Sequence, residues 1–422
     1  MGKRNWKLTK HDKEILRELG KRKLEIANEP CMEEKKKLWY KHNSLKSERP
    51  MVILESGGVG KEFLDGSSLK CEEKWARDIE FYLRSEILHY EKIGDDKVVD
   101  PFIRCNWKVD ISDIGVKIDI ERGVDIQGKT LGFKWNPPLK NLKNDFEKLK
   151  YQKFTVDREE TFAWKSFLEE VFEGILPVVI RGSFWWSMGF TQIAIYLVGL
   201  DNFMLFMYDD PEGIHKLMRF LKENKLFLAK GLEKEGVLTL NNENDYIGSG
   251  SYGFTDELPQ KDWKKEDIVR LKDLWALLES QETVGISPQM FEEFIAPYYR
   301  EIAQYFGLIY YGCCEPTHSI WESIKKINNL RSVSISPWCN QSFMAEMLGK
   351  NYIFSRKPPP SLLSTGFFDE NAIREDIRKT LNVAKKCNIE FIMKDLHTVN
   401  NQPQRMSRWV QIVYEEISKF YS

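Results

Sequence analysis

The segment GLIYYGCCEPTH, residues 307–318, decides the fold. Leu308, Ile309, Tyr310 and Tyr311 form an apolar run of strand length, and the polar residues after them should emerge at its C-terminal end. The same grammar recurs along the chain. ILPVVIRG ends at Arg181, VLTLNN at Asn242, LWALLESQE at Glu282, LRSVSISPW at Ser336, NYIFSRKP at Lys357 and IEFIMKDLH at His397. With PFIRCNW at 101–107 as the first strand, helical stretches lie between most of these runs. About eight short buried strands alternating with helices predict an α/β fold, a (β/α)8 TIM barrel, whose functional residues gather at the C-terminal ends of the strands.

The flanks fit this frame. EKWARDIEFYLRSEILHYEK at 73–92 carries Trp75, Ile79, Leu83 and Ile87 on one helical stripe. From Val109 to Trp135 the pattern shortens to alternating strands with glycine turns, which predicts a β-hairpin insertion after the first strand, placed as a lid over the barrel mouth. Residues 1–48 are dense in Lys and Glu, with Ile15, Leu16, Leu19, Leu24 and Ile26 near helical spacing. They predict an N-terminal helical extension packed outside the barrel, residues 49–422, or on the second subunit of a homodimer. ESGGVGK at 55–61 looks like a phosphate loop, but Glu55 and Glu62 stand where that motif needs glycine and a hydroxyl, so a surface turn is expected.

Composition excludes several roles. The 63 basic and 64 acidic residues give a formal charge of −1, which offers no global field for nucleic acid or an anionic membrane. Apolar runs fall short of the ~20 residues of a membrane span. The charged N-terminus lacks the apolar core of a secretory signal. The 7 cysteines in 422 residues form no disulfide framework, so reduced thiols in a cytoplasmic protein are expected.

The strand ends bring chemistry together. Cys313 and Cys314 are consecutive, so in an extended strand one faces the mouth and the other packs outward. Glu315, Ser336, Lys357, Lys394, Asp395 and His397 fall at equivalent ends. Thiolate, imidazole and carboxylate suit zinc with an open position for substrate, so Cys314 and His397 are candidate ligands, with Cys313 as the alternative to Cys314. Ser287, by contrast, is explained as a helix cap. Arg181 would supply a cation for a substrate carboxylate, and Lys357 either does the same or pairs with Lys394 and Asp395; Trp185 either covers the barrel top or forms an aromatic wall, Asn241 and Asn242 are substrate contacts or turn residues, and Ser336 is a further polar contact. Lys394 and Asp395 are candidates for proton transfer, with Glu282 as a third catalytic group.

ISPQMFEEFIAPYYREIAQYFGLIYYGCCEP, KINNLRSVSISPW with AEMLG after it, YIFSRKPPPSLL and FIMKDLHTVNNQPQRMSRW together resemble the uroporphyrinogen decarboxylase-like superfamily, over roughly residues 50–420. The resemblance is nearest in type to its zinc- and corrinoid-linked methyltransferases. It implies transfer of a methyl group between a small substrate, such as an aromatic methoxy compound, and a corrinoid held by a separate protein. In that branch a His-x-Cys pair and a later Cys hold zinc. Cys314 matches the first Cys, but Gly312 stands in the His position and the Asp395–His397 stretch in that of the later Cys; by analogy with carboxylate ligands in some relatives, the resemblance makes Glu282 a further candidate zinc ligand. The alternatives are a metal-independent decarboxylase or lyase working through Lys394 and Asp395, and a non-catalytic small-molecule-binding barrel.

Overall fold

The computed structural model describes residues 6–124 and 130–421. Its centre is a parallel sheet of six strands in the order β1 (Met51–Leu54), β8 (Asn388–Met393), β7 (Ile353–Arg356), β6 (Leu330–Ile335), β5 (Leu308–Tyr311) and β4 (Trp275–Leu278). A separate parallel pair joins β2 (Ile103–Cys105) to β3 (Val178–Ile180). The described ladders give a parallel α/β sheet and this pair, rather than a closed ring. Met188 N donates to Leu277 O, so the chain after β3 runs along the free edge of β4.

The structure differs from the sequence reading in three places. The first parallel strand is Met51–Leu54, and it pairs with the last one in register Met51↔Glu390 to Leu54↔Met393. Its four apolar residues are flanked by Pro50 and the glycine-rich 55–61, which disguises so short a strand. The expected hairpin exists as an antiparallel pair, Ile120–Val124 with Thr130–Trp135, but it follows the second parallel strand; residues 125–129 of that insertion lie outside the described residues. The 237–242 run forms no ladder. Asn241 instead receives the Trp275 amide on Oδ1 (2.9 Å) and donates from Nδ2 to the Trp275 carbonyl (3.0 Å), capping the entrance of β4.

Side-chain alternation gives the sheet two buried faces. Ile389, Phe391 and Met393 join the main apolar core, which is covered by α4 (Pro211–Lys234), α5 (Glu370–Val383) and α6 (Gln404–Tyr421) among others. The opposite face is mixed: it carries Ile53, Ile392, Leu277 and Tyr310 together with Ser332, Ser334, Ser355, Lys357, Glu390 and Lys394, all buried. A short hairpin, Tyr246–Gly248 with Ser251–Tyr252, lies across that face. Ser251 Oγ donates to Glu390 Oε2 (2.9 Å), and Lys394 Nζ donates to Ser249 Oγ (3.2 Å). Gly248 is required there, since a Cβ would stand 2.8 Å from the Tyr310 ring.

The N-terminal helices α1 (Lys10–Ala27) and α2 (Pro30–Asn43) are tied into this body. Leu16 packs in one cluster with Ala76 and Leu83 of α3 (Lys74–Lys92). At the end of α2, Asn43 Nδ2 donates 2.8 Å bonds to the carbonyls of Tyr252 and Phe254, and His42 Nε2 lies 3.4 Å from Glu390 Oε2. Among the described residues no single helix is long and apolar enough to cross a membrane.

Candidate functional site

All strands of a parallel sheet deliver their last residues to one edge, where ligands bind in open α/β sheets. Here β5 stops at Tyr311, and Gly312 turns the chain with φ +96°, a conformation that disfavours any residue with a side chain. That turn places the next two residues side by side. The sulfurs of Cys313 and Cys314 lie 3.6 Å apart, instead of pointing to opposite faces as in an extended strand. Cys313 is buried and Cys314 is exposed at the rim.

At the end of β8, Lys394 Nζ comes to 3.6 Å from Cys313 Sγ. Asp395, held at φ +58°, places Oδ2 3.7 Å from Cys314 Sγ and Oδ1 3.9 Å from Lys394 Nζ. Thiol, ammonium and carboxylate from two distant strands thus converge. The hydrogen bond from Cys314 is the main reason the Cys313 thiol is pushed down to about 7; burial opposes this and Lys394 assists it. Cys314 moves upward correspondingly. Burial opposes the charge on Lys394, but Cys313 and Asp395 outweigh it and hold the amine above its ordinary range.

Beneath the cysteines lie acids that the sequence reading underweighted. Glu315 is buried and receives the amides of Ser280 (2.9 Å) and Cys313 (2.8 Å), which fixes the turn. Glu279, the first residue after β4, is buried as well. Burial first, then Glu282 and Glu315, push its carboxyl up to about 9, so it is protonated at neutral pH. The signal was the strand end itself. LWALL closes at Leu278, which makes Glu279 the acid at the edge, whereas Glu282 sits one short turn further and accepts from Thr191 Oγ1 (2.9 Å).

Several expected site residues are engaged elsewhere. Arg181 lines a cavity with Leu274 and Asn241, which precede β4, so it lies toward the N-terminal end of the sheet. Its guanidinium is occupied by Asp245, which also takes Arg104. Asn242 Nδ2 donates to Leu258 O (2.8 Å) and holds a loop. Lys357 is buried on the mixed face, where Nζ donates to Tyr310 Oη and Ser355 Oγ; burial pushes its amine down to about 7. Ser336 is buried with its hydroxyl unpartnered among the described residues. Trp185 does line a cavity, considered below.

The proposed zinc donors do not assemble. Among the described residues no three His, Cys, Asp or Glu side chains are spaced to hold a metal ion. Gly312 cannot supply an imidazole, His397 is exposed on the loop beyond β8, and Glu282 is engaged with Thr191. The neighbour of Cys313 is an ammonium, which would repel a dication.

The glycine-rich 55–61 segment serves this edge indirectly. A Cβ on Gly58 would lie 2.2 Å from the Leu396 carbonyl oxygen, and Glu62 accepts from Thr398 Oγ1 (2.6 Å) and from the amides of Val399 (2.9 Å) and Asn401 (2.8 Å). The segment after β1 therefore pins the loop that carries Asp395.

No family model matches the sequence, and no curated protein matches it. Among solved structures, a methyltransferase from Methanosarcina mazei superposes with a TM-score of 0.51 at 11% sequence identity, over 92% of this chain and 99% of that chain. The two chains share a fold. At that identity the likeness concerns architecture, and the chemistry must be argued from the residues at the sheet edge.

Proposed function

We propose that this chain is a methyltransferase that moves a methyl group between a small substrate and a carrier, with Cys313 and Lys394 handling the proton. One observation carries the reading: two side chains 81 residues apart, on the ends of β5 and β8, meet as a thiol and an ammonium 3.6 Å apart. The fold shared with a methyltransferase supports it. In this reading the six-stranded sheet and the β2–β3 pair are arcs of one (β/α)8 barrel of the uroporphyrinogen decarboxylase-like type, because β2 and β3 fall in sequence between the two edge strands β1 and β4. For the carrier, the resemblance points to a separate corrinoid protein, which would approach the exposed rim at Cys314 and Asp395.

The chemistry closes without an oxidant. In the direction that methylates the substrate, the Cys313 thiolate takes the proton of the accepting group. That group then attacks the methyl carbon, and the old bond breaks with its electron pair leaving on the donor. In the reverse direction, the Cys313 thiol returns the proton to the departing substrate atom. Lys394 stays protonated throughout and stabilises the thiolate. A base titrating near neutrality is suited to both directions.

The test supplies methylcobalamin as donor and 2-mercaptoethanol as acceptor, and follows loss of the methylcobalamin spectrum and formation of the methyl thioether. Wild type and Cys31→Ser, a cysteine on α2 outside the sheet edge, should accelerate transfer over buffer, while Cys313→Ser should lose at least ~10²-fold of that acceleration, the lower end of a general-base contribution. Equal rates for wild type and Cys313→Ser, or no acceleration by either, would overturn the proposal.

A further inference from the structure

A cavity of about 310 Å³ lies beside the sheet, between α4 and the segment 184–190 with the first turn of the helix Thr191–Val198 that follows it. Phe184, Trp185, Trp186 and Met188 give it aromatic and apolar walls, and two ionisable side chains, Lys225 and Glu279, line it. Trp186 is 47% exposed, which leaves the entrance open. Its volume sits at the small end of ligand sites, and the combination of apolar walls with a few convergent polar groups is what such sites share.

Lys225 is the informative residue. Its Nζ donates one hydrogen bond, to the Ser187 carbonyl (2.7 Å), and it forms no ion pair with a described residue. Lys222 on the same helix, by contrast, pairs with Glu301. Burial pushes the Lys225 amine down to about 8, so at pH 7 it is still mostly charged and lacks an anion. Glu279, whose charged form would oppose that shift, supplies no full anion, because burial and then Glu282 and Glu315 hold its carboxyl up at about 9; its Oε2 accepts from the Gln281 amide (3.4 Å).

We infer that this cavity binds a small planar carboxylic acid, with the ring between Trp185 and Trp186 and the carboxylate on Lys225 Nζ. A single amine beside one protonated carboxyl suits a monoanion, whereas a phosphate would need several more donors. The indoles favour a flat ring over a branched aliphatic chain. The inference uses neither Cys313 nor the transfer reading, and it stands if that reading fails.

Isothermal titration with benzoate, benzamide and cyclohexanecarboxylate tests it. Benzoate should bind wild-type protein at concentrations up to about 1 mM, benzamide about tenfold or more weaker through loss of the charge-assisted bond, and cyclohexanecarboxylate weaker than benzoate. Lys225→Met should remove the preference for benzoate over benzamide. No heat from benzoate, equal affinity of wild type for the acid and its amide, or a preference retained in Lys225→Met would each overturn the inference. The comparison of acid with amide on wild-type protein does not depend on how the variant folds.

Discussion

Replacing Asp245 by Ala should destabilise the fold more than any substitution at the exposed rim. Asp245 Oδ1 receives Arg104 Nη1 and Arg181 Nε at 2.8 Å each, and Oδ2 receives Arg181 Nη2 and the Glu243 amide. The Asp245 side chain is 8% exposed and that of Arg181 13%. Removing the carboxylate leaves two largely buried guanidiniums, of which Arg104 retains Asp100 (2.8 Å) and Arg181 retains Glu243 (3.2 Å). Breaking a buried pair by deleting one partner costs ~3–5 kcal/mol, and the two remaining acids place this case near ~3 kcal/mol. Urea denaturation at pH 7 measures it. Acid supplies a second check. Burial disfavours the Asp245 charge, but Arg181 and then Arg104 outweigh it and hold the carboxyl below the ordinary range. A depressed carboxyl contributes stability that is present above its unfolded pKa of ~3.9 and is lost as pH falls through the folded value. The gap between wild type and variant should therefore narrow on acidification below about pH 4. A loss under ~1 kcal/mol at pH 7, or a gap indifferent to acid, would refute the reasoning.

Two further outcomes follow from the sheet edge. Gly58→Ala should lower the unfolding temperature, because its Cβ would overlap the Leu396 carbonyl oxygen, an overpacking of ~1–3 kcal/mol or more; Gly57→Ala, with nothing within 4 Å, serves as the silent control in the same melts. Elemental analysis of protein purified with zinc present should find less than one zinc per chain, since no described donor set is spaced for it, and stoichiometric zinc lost on Cys314→Ser would contradict that.

The strand ends were legible because buried parallel strands are continuous apolar runs, and LIYY, LRSVSI, IFSR and NIEFIM announce themselves. That Lys394, Asp395 and the cysteines share one edge followed from the strand ends, whereas the approach of the Lys394 ammonium to Cys313 did not. What escaped the sequence was anything set by local turns. Gly312 was read as a missing ligand, while its positive φ is what brings the two sulfurs together. Arg181 looked like a strand-end cation, but the chain continues from β3 along the edge of β4, so the edge beside Glu279 is reached only at Gly189. Asn241 and Asn242 read equally well as substrate contacts or as turn chemistry, and the bonds their side-chain amides donate to backbone carbonyls decide for the latter. Lys225 carries no sequence signal, because on an amphipathic helix it reads as one more surface lysine.

The measurement that bears most directly on the account is the titration of the Cys313 thiolate, taken as the difference in ultraviolet thiolate absorption between wild type and Cys313→Ser. The midpoint should fall at about 7, and it should move upward by about one pH unit in Lys394→Met and further in Cys314→Ala, whose hydrogen bond is the larger influence. A midpoint near the ordinary thiol value of 9.0, or one that ignores both substitutions, would contradict the proposed centre.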